Sequence, residues 1–221
     1  MKAIAIDGPS GVGKSTAAEE LARRLNFLHV DTGALYRAVA LYVLRKNIPV
    51  KLITKDLKNI KIDIDFYKNK QNVFLNNENV TKFLRDEKIS VLASEISKVR
   101  EVRAFLIEAQ RKLALEHDVV MDGRDIGTVV LLNADLKIFL TARANVRANR
   151  RYLELRKKGY KDITYEKVLL DILKRDKSDT ERKFSPLFPA FSAKIIDVSD
   201  IGVSEVVDII FNLFKNVKLG N

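Results

Sequence analysis

Gly8-Pro9-Ser10-Gly11-Val12-Gly13-Lys14-Ser15-Thr16 comes one residue, Asp7, after the short apolar run Ala3-Ile4-Ala5-Ile6. Glycine loses more conformational freedom on folding than any other residue, so its clustering here needs a local reason. Proline fixes one dihedral and removes a donor, which suits a turn of defined shape. The run before the turn reads as a buried strand over Lys2–Asp7. Behind it, Ala17, Ala18, Leu21 and Leu25 share one face of a helix over Lys14–Leu25. A strand, a glycine turn and a helix spaced Gly8-x-x-x-x-Gly13-Lys14-Ser15 form the signature of a phosphate-binding P-loop. The glycines let backbone amides point inward at an anion, and the helix start adds partial positive charge. Residues Gly8 to Thr16 are therefore expected to hold ATP, with Lys14 reaching its terminal phosphates and the Ser15 hydroxyl ligating Mg²⁺.

Outward from this loop, strands alternate with helices. Further strands are expected at Phe27–Val30, Asp118–Met121, Leu136–Leu140 and Lys194–Asp197, with a helix over Ala34–Leu44. Such alternation predicts an α/β fold with a parallel sheet covered on both faces. One stretch breaks the rule. Ile60–Val80, IKIDIDFYKNKQNVFLNNENV, alternates apolar and polar residues between Asn-rich turns, as small antiparallel strands do. It reads as a lobe inserted between two core strands, with helices resuming over Thr81–Glu116. A frayed tail is expected after Asn216.

Composition bounds the chemistry. The 221 residues suffice for one full core, and no apolar run reaches the roughly 18 to 20 residues of a membrane helix. A cytoplasmic location and no membrane partner are the expectation. With no cysteine and only His29 and His117, any metal must be held by oxygen. The net charge of +11 invites an anionic partner without choosing between nucleic acid, a membrane surface and a phosphorylated small molecule. A GTPase would need Asn-Lys-x-Asp, and Asn69-Lys70-Gln71-Asn72 lacks the aspartate.

Three constellations point to a second anionic substrate. In Asp31–Arg37, DTGALYR, Thr32 is expected to cap a helix and to grip a phosphate together with Arg37. In MDGRDIGT, Asp122, Arg124 and Asp125 crowd the carboxyl end of a buried strand, where open α/β sheets bind ligands. Asp122 is there a candidate outer-sphere carboxylate for Mg²⁺. Arg143, Arg147, Arg150 and Arg151 fall on one helical face, where they repel one another unless an anion joins them. Arg175, Asp179 and Arg182 repeat that spacing. An RNA-binding helix fits such a face as well, but the P-loop favours a nucleotide-clamping lid, because phosphoryl transfer is catalysed chiefly by positioning and charge neutralisation.

Taken in order, IAIDGPSGVGKST, DTGALYR, DGRDIGT, RANVRANRR and RDKSDTERKFSPLFPA resemble the bacterial type of cytidylate kinase over nearly the whole chain. The resemblance implies a P-loop parallel five-stranded sheet flanked by helices, a monophosphate-binding lobe with a small antiparallel sheet, and a helical lid. It divides the single domain into a core of 1–59, 98–142 and 190–221, a lobe of about 60–97 and a lid of about 143–189. It also implies transfer of the ATP γ-phosphate to CMP or dCMP with Mg²⁺. Thr32, Arg37, Arg124 and Arg182 would bind the acceptor phosphate, Ser94, Arg103 and Asp125 the cytosine, and Arg175 and Asp179 the ribose. Lys14, Arg124, Arg150, Arg151 and Arg182 would serve the transfer, and Arg147 the donor phosphates. Ser192 stands where the family usually has aspartate. Kinases of AMP, UMP or shikimate on the same fold, and a nucleic-acid-binding P-loop protein, are the rivals; a monomer is expected.

Overall fold

The computed structural model describes residues 1–219. Its central sheet is parallel and has the order β2-β6-β1-β7-β8, built from Leu28–Asp31 (β2), Val119–Gly123 (β6), Ala3–Asp7 (β1), Leu136–Thr141 (β7) and Lys194–Asp197 (β8). Parallel strands need crossovers, and helices supply them: Lys14–Leu25 (α1), Thr32–Lys46 (α2), the short Ile53–Asp56 (α3), Glu87–Ile96 (α4), Arg100–Glu116 (α5), Ala144–Lys157 (α6), Tyr165–Glu181 (α7) and Val203–Leu219 (α8). Side chains of a strand alternate between faces, so β1 feeds two cores although Ala3 to Ile6 are all apolar. Ile4 and Ile6 pack with α1, β7 and α8, whereas Ala5 packs with Val30, Met121 and Ile126 on the other face.

The inserted lobe is an antiparallel sheet of Ile62–Tyr67 (β3), Lys70–Leu75 (β4) and Glu78–Asn79 (β5). Its turns fall at Lys68-Asn69 and Asn76-Asn77, all four with positive φ, the backbone that two-residue hairpins require and asparagine tolerates. The lobe has its own apolar core, formed with α2, α4 and α5. The hairpin of α6 and α7 has another, small one of Ala148, Leu155, Val168 and Ile172.

The expected elements are all present, with shifted ends. β2 starts at Leu28 and ends at Asp31, one residue later than expected, and α2 spans Thr32–Lys46 rather than Ala34–Leu44. α8 continues through Asn216 to Leu219, so the expected frayed tail is helical there; positions 220 and 221 lie outside the described residues. No helix among the described residues is long and apolar enough to cross a membrane.

Candidate active site

β1 and β6 lie side by side in register, with Asp7 opposite Gly123, so the two loops that leave their carboxyl ends face one cleft. The first is the glycine turn. Gly13 caps α1 in a left-handed conformation with φ 99°, and Lys14 turns back so that its Nζ donates to the Pro9 carbonyl at 2.8 Å. Burial, then the charge of Arg124, pull the Lys14 ammonium down to about 7. Ser15 is exposed to the cleft and donates to Asp122 Oδ2 at 2.8 Å. The other oxygen of Asp122 lies 2.7 Å from His29 Nε2 on the neighbouring strand. Burial raises the Asp122 carboxyl, but His29, Lys14 and Ser15 more than offset it and hold it below the ordinary range. Sequence reading missed His29, having considered it only as a metal ligand; its place one strand from Asp122 is a matter of sheet order.

The second loop, Arg124–Ile126, presents Arg124 and Asp125. Arg124 Nε donates to Asp179 Oδ2 at 2.7 Å. Buried Asp125 is gripped by Arg103 and stands 3.8 Å from Arg182 Nη2. Arg103 also donates to the Ser97 carbonyl at 3.0 Å and lies against the Tyr36 ring. Two guanidinium nitrogens in this cluster, Arg103 Nε and Arg182 Nη2, are buried without a hydrogen-bond partner. Ser94 is half-buried on α4, whereas Arg103 is on the following helix, α5.

At the start of α2 the cap is Asp31 and not Thr32 as expected. Its carboxylate accepts from the Ala34 amide at 3.1 Å and from Arg37 Nη2 at 2.5 Å. Thr32, the first helical residue, instead donates its hydroxyl to the Asp122 carbonyl at 2.8 Å, because β2 runs beside β6 and presents that oxygen. Gln71 of the lobe clamps the same turn, accepting from the Asp31 amide at 2.7 Å and donating to its carbonyl at 3.3 Å. Nothing in the sequence pattern singled out Gln71.

The arginines in and before α6 are held apart. The four cations do not converge on one anion; each has its own partners. Arg143 precedes the helix and pairs with Asp200. Arg147 is buried beneath the glycine turn, donating to Ser10 O at 3.0 Å, Ala142 O at 2.9 Å and Asp176 at 2.6 Å. Arg150 donates to Val198 O at 2.7 Å and lines a cavity of about 330 Å³ with Gly13, Thr16, Ile201 and Val203. Arg151 bridges Glu154 and Glu87. Spacing along one helix cannot see carbonyls and carboxylates brought from other elements.

Cations crowd more closely deeper in the site. Arg175 donates to Ser10 Oγ at 3.3 Å, and burial followed by the charge of Arg124 depresses its ionisation. Burial followed by Arg103 does the same to Arg182. Lys14, Arg124 and Arg175 thus crowd the glycine turn, and Arg103 and Arg182 crowd Asp125. Such a site is organised for a polyanion before one arrives, since its dipoles and charges need not reorganise during reaction. Ser192 is exposed in the turn before β8 and reaches none of these groups.

The cytidylate kinase family model matches residues 4–216. A cytidylate kinase from Caldicellulosiruptor bescii is 49% identical over 217 residues, covering 97% of this chain and 96% of the relative. One from Alkaliphilus oremlandii is 46% identical over 220 residues, covering 97% and 98%. In fold the chain is similar to a gluconokinase from Sinorhizobium meliloti, with TM-score 0.51, 16% identity and coverage of 100% and 97%. It is also similar to a shikimate kinase from Bacteroides thetaiotaomicron, with TM-score 0.50, 13% identity and coverage of 97% and 98%. With a full-length match and close relatives at nearly half identity, the chain belongs to the cytidylate kinase family.

Proposed function

We infer that this protein transfers the γ-phosphoryl group of ATP to the 5′-phosphate of CMP or dCMP. The observation that carries the reading is the pairing of two loops on adjacent strands, one ending in Lys14 and the other holding Asp125 between Arg103 and Arg182. The donor phosphates lie over the amides of Gly8–Thr16, with Lys14 at their end. The donor base occupies the cavity beside Arg150 and Val198, so Arg150 serves the base side of ATP and not the transferred group. Arg151, released from Glu87, turns to the phosphates as the α6–α7 lid closes, and Arg147 supports the loop from below.

The acceptor phosphate is gripped by Arg37 and Arg124, with the Thr32 end of α2 behind it and Arg182 beside it. Asp179, fixed by Arg124, and Arg175 face the ribose. Asp125 accepts from the exocyclic amine of cytosine, while Arg103 and Ser94 donate to its carbonyl and ring nitrogen. Uracil would turn a carbonyl oxygen to that carboxylate and be repelled. The acceptor phosphate is already an anionic nucleophile, so the chain need supply no strong base. Its work is to align donor and acceptor oxygens, to neutralise charge, and to exclude water that would otherwise hydrolyse ATP.

Mg²⁺ fits the donor set, because a hard cation prefers oxygen ligands and keeps much of its water. Ser15 would ligate it and Asp122 would hold one of its waters, while ATP phosphates complete the shell. Bound there, the ion would neutralise phosphate charge. No cluster of three His, Asp or Glu among the described residues forms a cage of its own. We propose that the chain acts as a cytoplasmic monomer divided into the core, lobe and lid described above.

The test is ADP formation from ATP and Mg²⁺ with CMP, dCMP, UMP, AMP, GMP or shikimate as acceptor against a no-acceptor blank. Turnover led by CMP and dCMP supports the reading, and turnover led by AMP or shikimate overturns it. Asp125→Ala should lower the CMP over UMP preference by about 10- to 100-fold, the worth of one lost specific hydrogen-bonding group.

A further inference from the structure

Asp7 is a buried carboxylate that none of the steps above uses. It ends β1, opposite Gly123 of β6 and Phe139 of β7, and only 3% of it is exposed. One carboxylate oxygen accepts from the Ile126 amide and the other from the Gly127 amide, each at 2.8 Å. Burial pushes its carboxyl up to about 6 against the pull of those two amides, with Asp125 adding to the rise and Lys14 opposing it. A neutral side chain would avoid most of that burial penalty, but a carboxylate alone offers two acceptors to two consecutive amides.

What those amides carry decides the role. Ile126 and Gly127 open the single π-helical turn Ile126–Val130, and Asp125 is the residue that caps it. The turn is tightly seated. A Cβ on Gly127 would lie 3.2 Å from Lys137 Cδ and 3.4 Å from Asp7 Oδ2. One residue along the chain from Asp7, Gly8 begins the donor loop.

We propose that Asp7 is a positioning residue for acceptor selection: by seating the Ile126 and Gly127 amides it holds Asp125 and Arg124 at a fixed offset from the donor loop. This rests on the reading of Asp125 as the group that meets cytosine. Asp7 touches no substrate; it acts through the turn. Asp7→Asn is nearly isosteric, yet its amide nitrogen would face one of the two N–H donors, so one bond is lost and a repulsion replaces it.

The experiment compares the full-length parent with Asp7→Asn and Asp125→Asn. It measures kcat and KM with CMP, with UMP and with ATP, together with thermal midpoints. A misplacement of an ångström or less at a reacting or selecting group costs roughly tenfold or more. Asp7→Asn should therefore raise the KM for CMP about tenfold, lower the CMP to UMP ratio of kcat/KM by a similar factor, and leave the KM for ATP within about twofold. A merely structural role would lower the thermal midpoint with the ratio unchanged, or would move the ATP and CMP constants together; either result overturns the proposal. If Asp7→Asn does not fold, Gly127→Ala decides by the same criteria, since it presses on the same contact without altering the charge. If Asp125→Asn keeps full discrimination, the base-reading assignment itself fails, and the split between CMP and ATP constants alone then judges Asp7.

Discussion

Replacing Gly8 by alanine asks whether the donor loop is held by its contact with β7. A Cβ at Gly8 would stand 2.2 Å from the Leu140 carbonyl oxygen and 3.2 Å from its carbon, both backbone atoms of β7. That strand is hydrogen-bonded to β1 up to Asp7, so no side chain can swing aside; the strands must part or the loop must shift. Overpacking of this kind costs about 1–3 kcal/mol. The φ of +151° disfavours an L side chain and adds a backbone term of about 1–3 kcal/mol. The sum is about 4 kcal/mol, which for a chain of this size lowers the thermal midpoint by roughly 8–16 °C. Gly13→Ala isolates the backbone term, because φ is +99° and nothing lies within 4 Å of the added carbon. Gly202→Ala has neither penalty and should stay within about 0.5 kcal/mol of the parent. Calorimetric melts of the three variants should rank Gly8 worst, Gly13 next and Gly202 indistinguishable from the parent. The KM for ATP should rise most in Gly8→Ala. A Gly8→Ala protein that melts within about 2 °C of the parent, or no lower than Gly13→Ala, would refute the reasoning.

Lys14→Ala should leave the fold intact and lower kcat by about a hundredfold or more, the cost of removing one preorganised charge at the transferred group; unchanged turnover would remove Lys14 from the transfer. Arg147→Ala strands Asp176 and the Ser10 and Ala142 carbonyls, so chemical denaturation should find about 3–5 kcal/mol lost. Arg143→Ala, at an exposed pair with Asp200, should stay within about 1 kcal/mol. Asp7 supplies the pH dependence. Its folded carboxyl, near 6 against an ordinary 3.8, holds a proton that the unfolded chain has released. Stability from this group is therefore present at low pH, falls as pH rises from about 4 to about 6, and is flat above. The difference between parent and Asp7→Asn unfolding curves, which cancels the opposite trends of Asp122 and Asp179, should show that slope with an amplitude on the order of 3 kcal/mol.

Where a local pattern settles the structure, the sequence was enough. The donor loop is legible because its glycines, lysine and serine are contiguous, and the lobe because alternation and paired asparagines are local signals. The element ends shift by a residue or two, as fraying and capping allow. Asp31 and Thr32 are both competent caps, and the choice fell to the Asp122 carbonyl, which only β-sheet order brings to Thr32. The partners of the arginine face are illegible for the same reason, since Val198, Asp176 and Glu87 come from distant positions. His29, Gln71 and Asp7 have no motif to announce them; their importance is a property of neighbours.

The separate apolar cluster of the α6–α7 hairpin has a consequence for how the molecule divides its labour. Ala148, Leu155, Val168 and Ile172 pack against one another and not against the sheet, so swinging the hairpin leaves the central core closed. The two are tied instead by polar threads, Arg147 to the Ser10 carbonyl, the Ser10 amide to Asp176 and Arg150 to the Val198 carbonyl, which solvent can take over when they part. Amide exchange should accordingly sort the chain into a slow sheet and a faster hairpin that opens as a body. A fold partitioned in this way can trade one hairpin or lobe for another without redesigning the sheet.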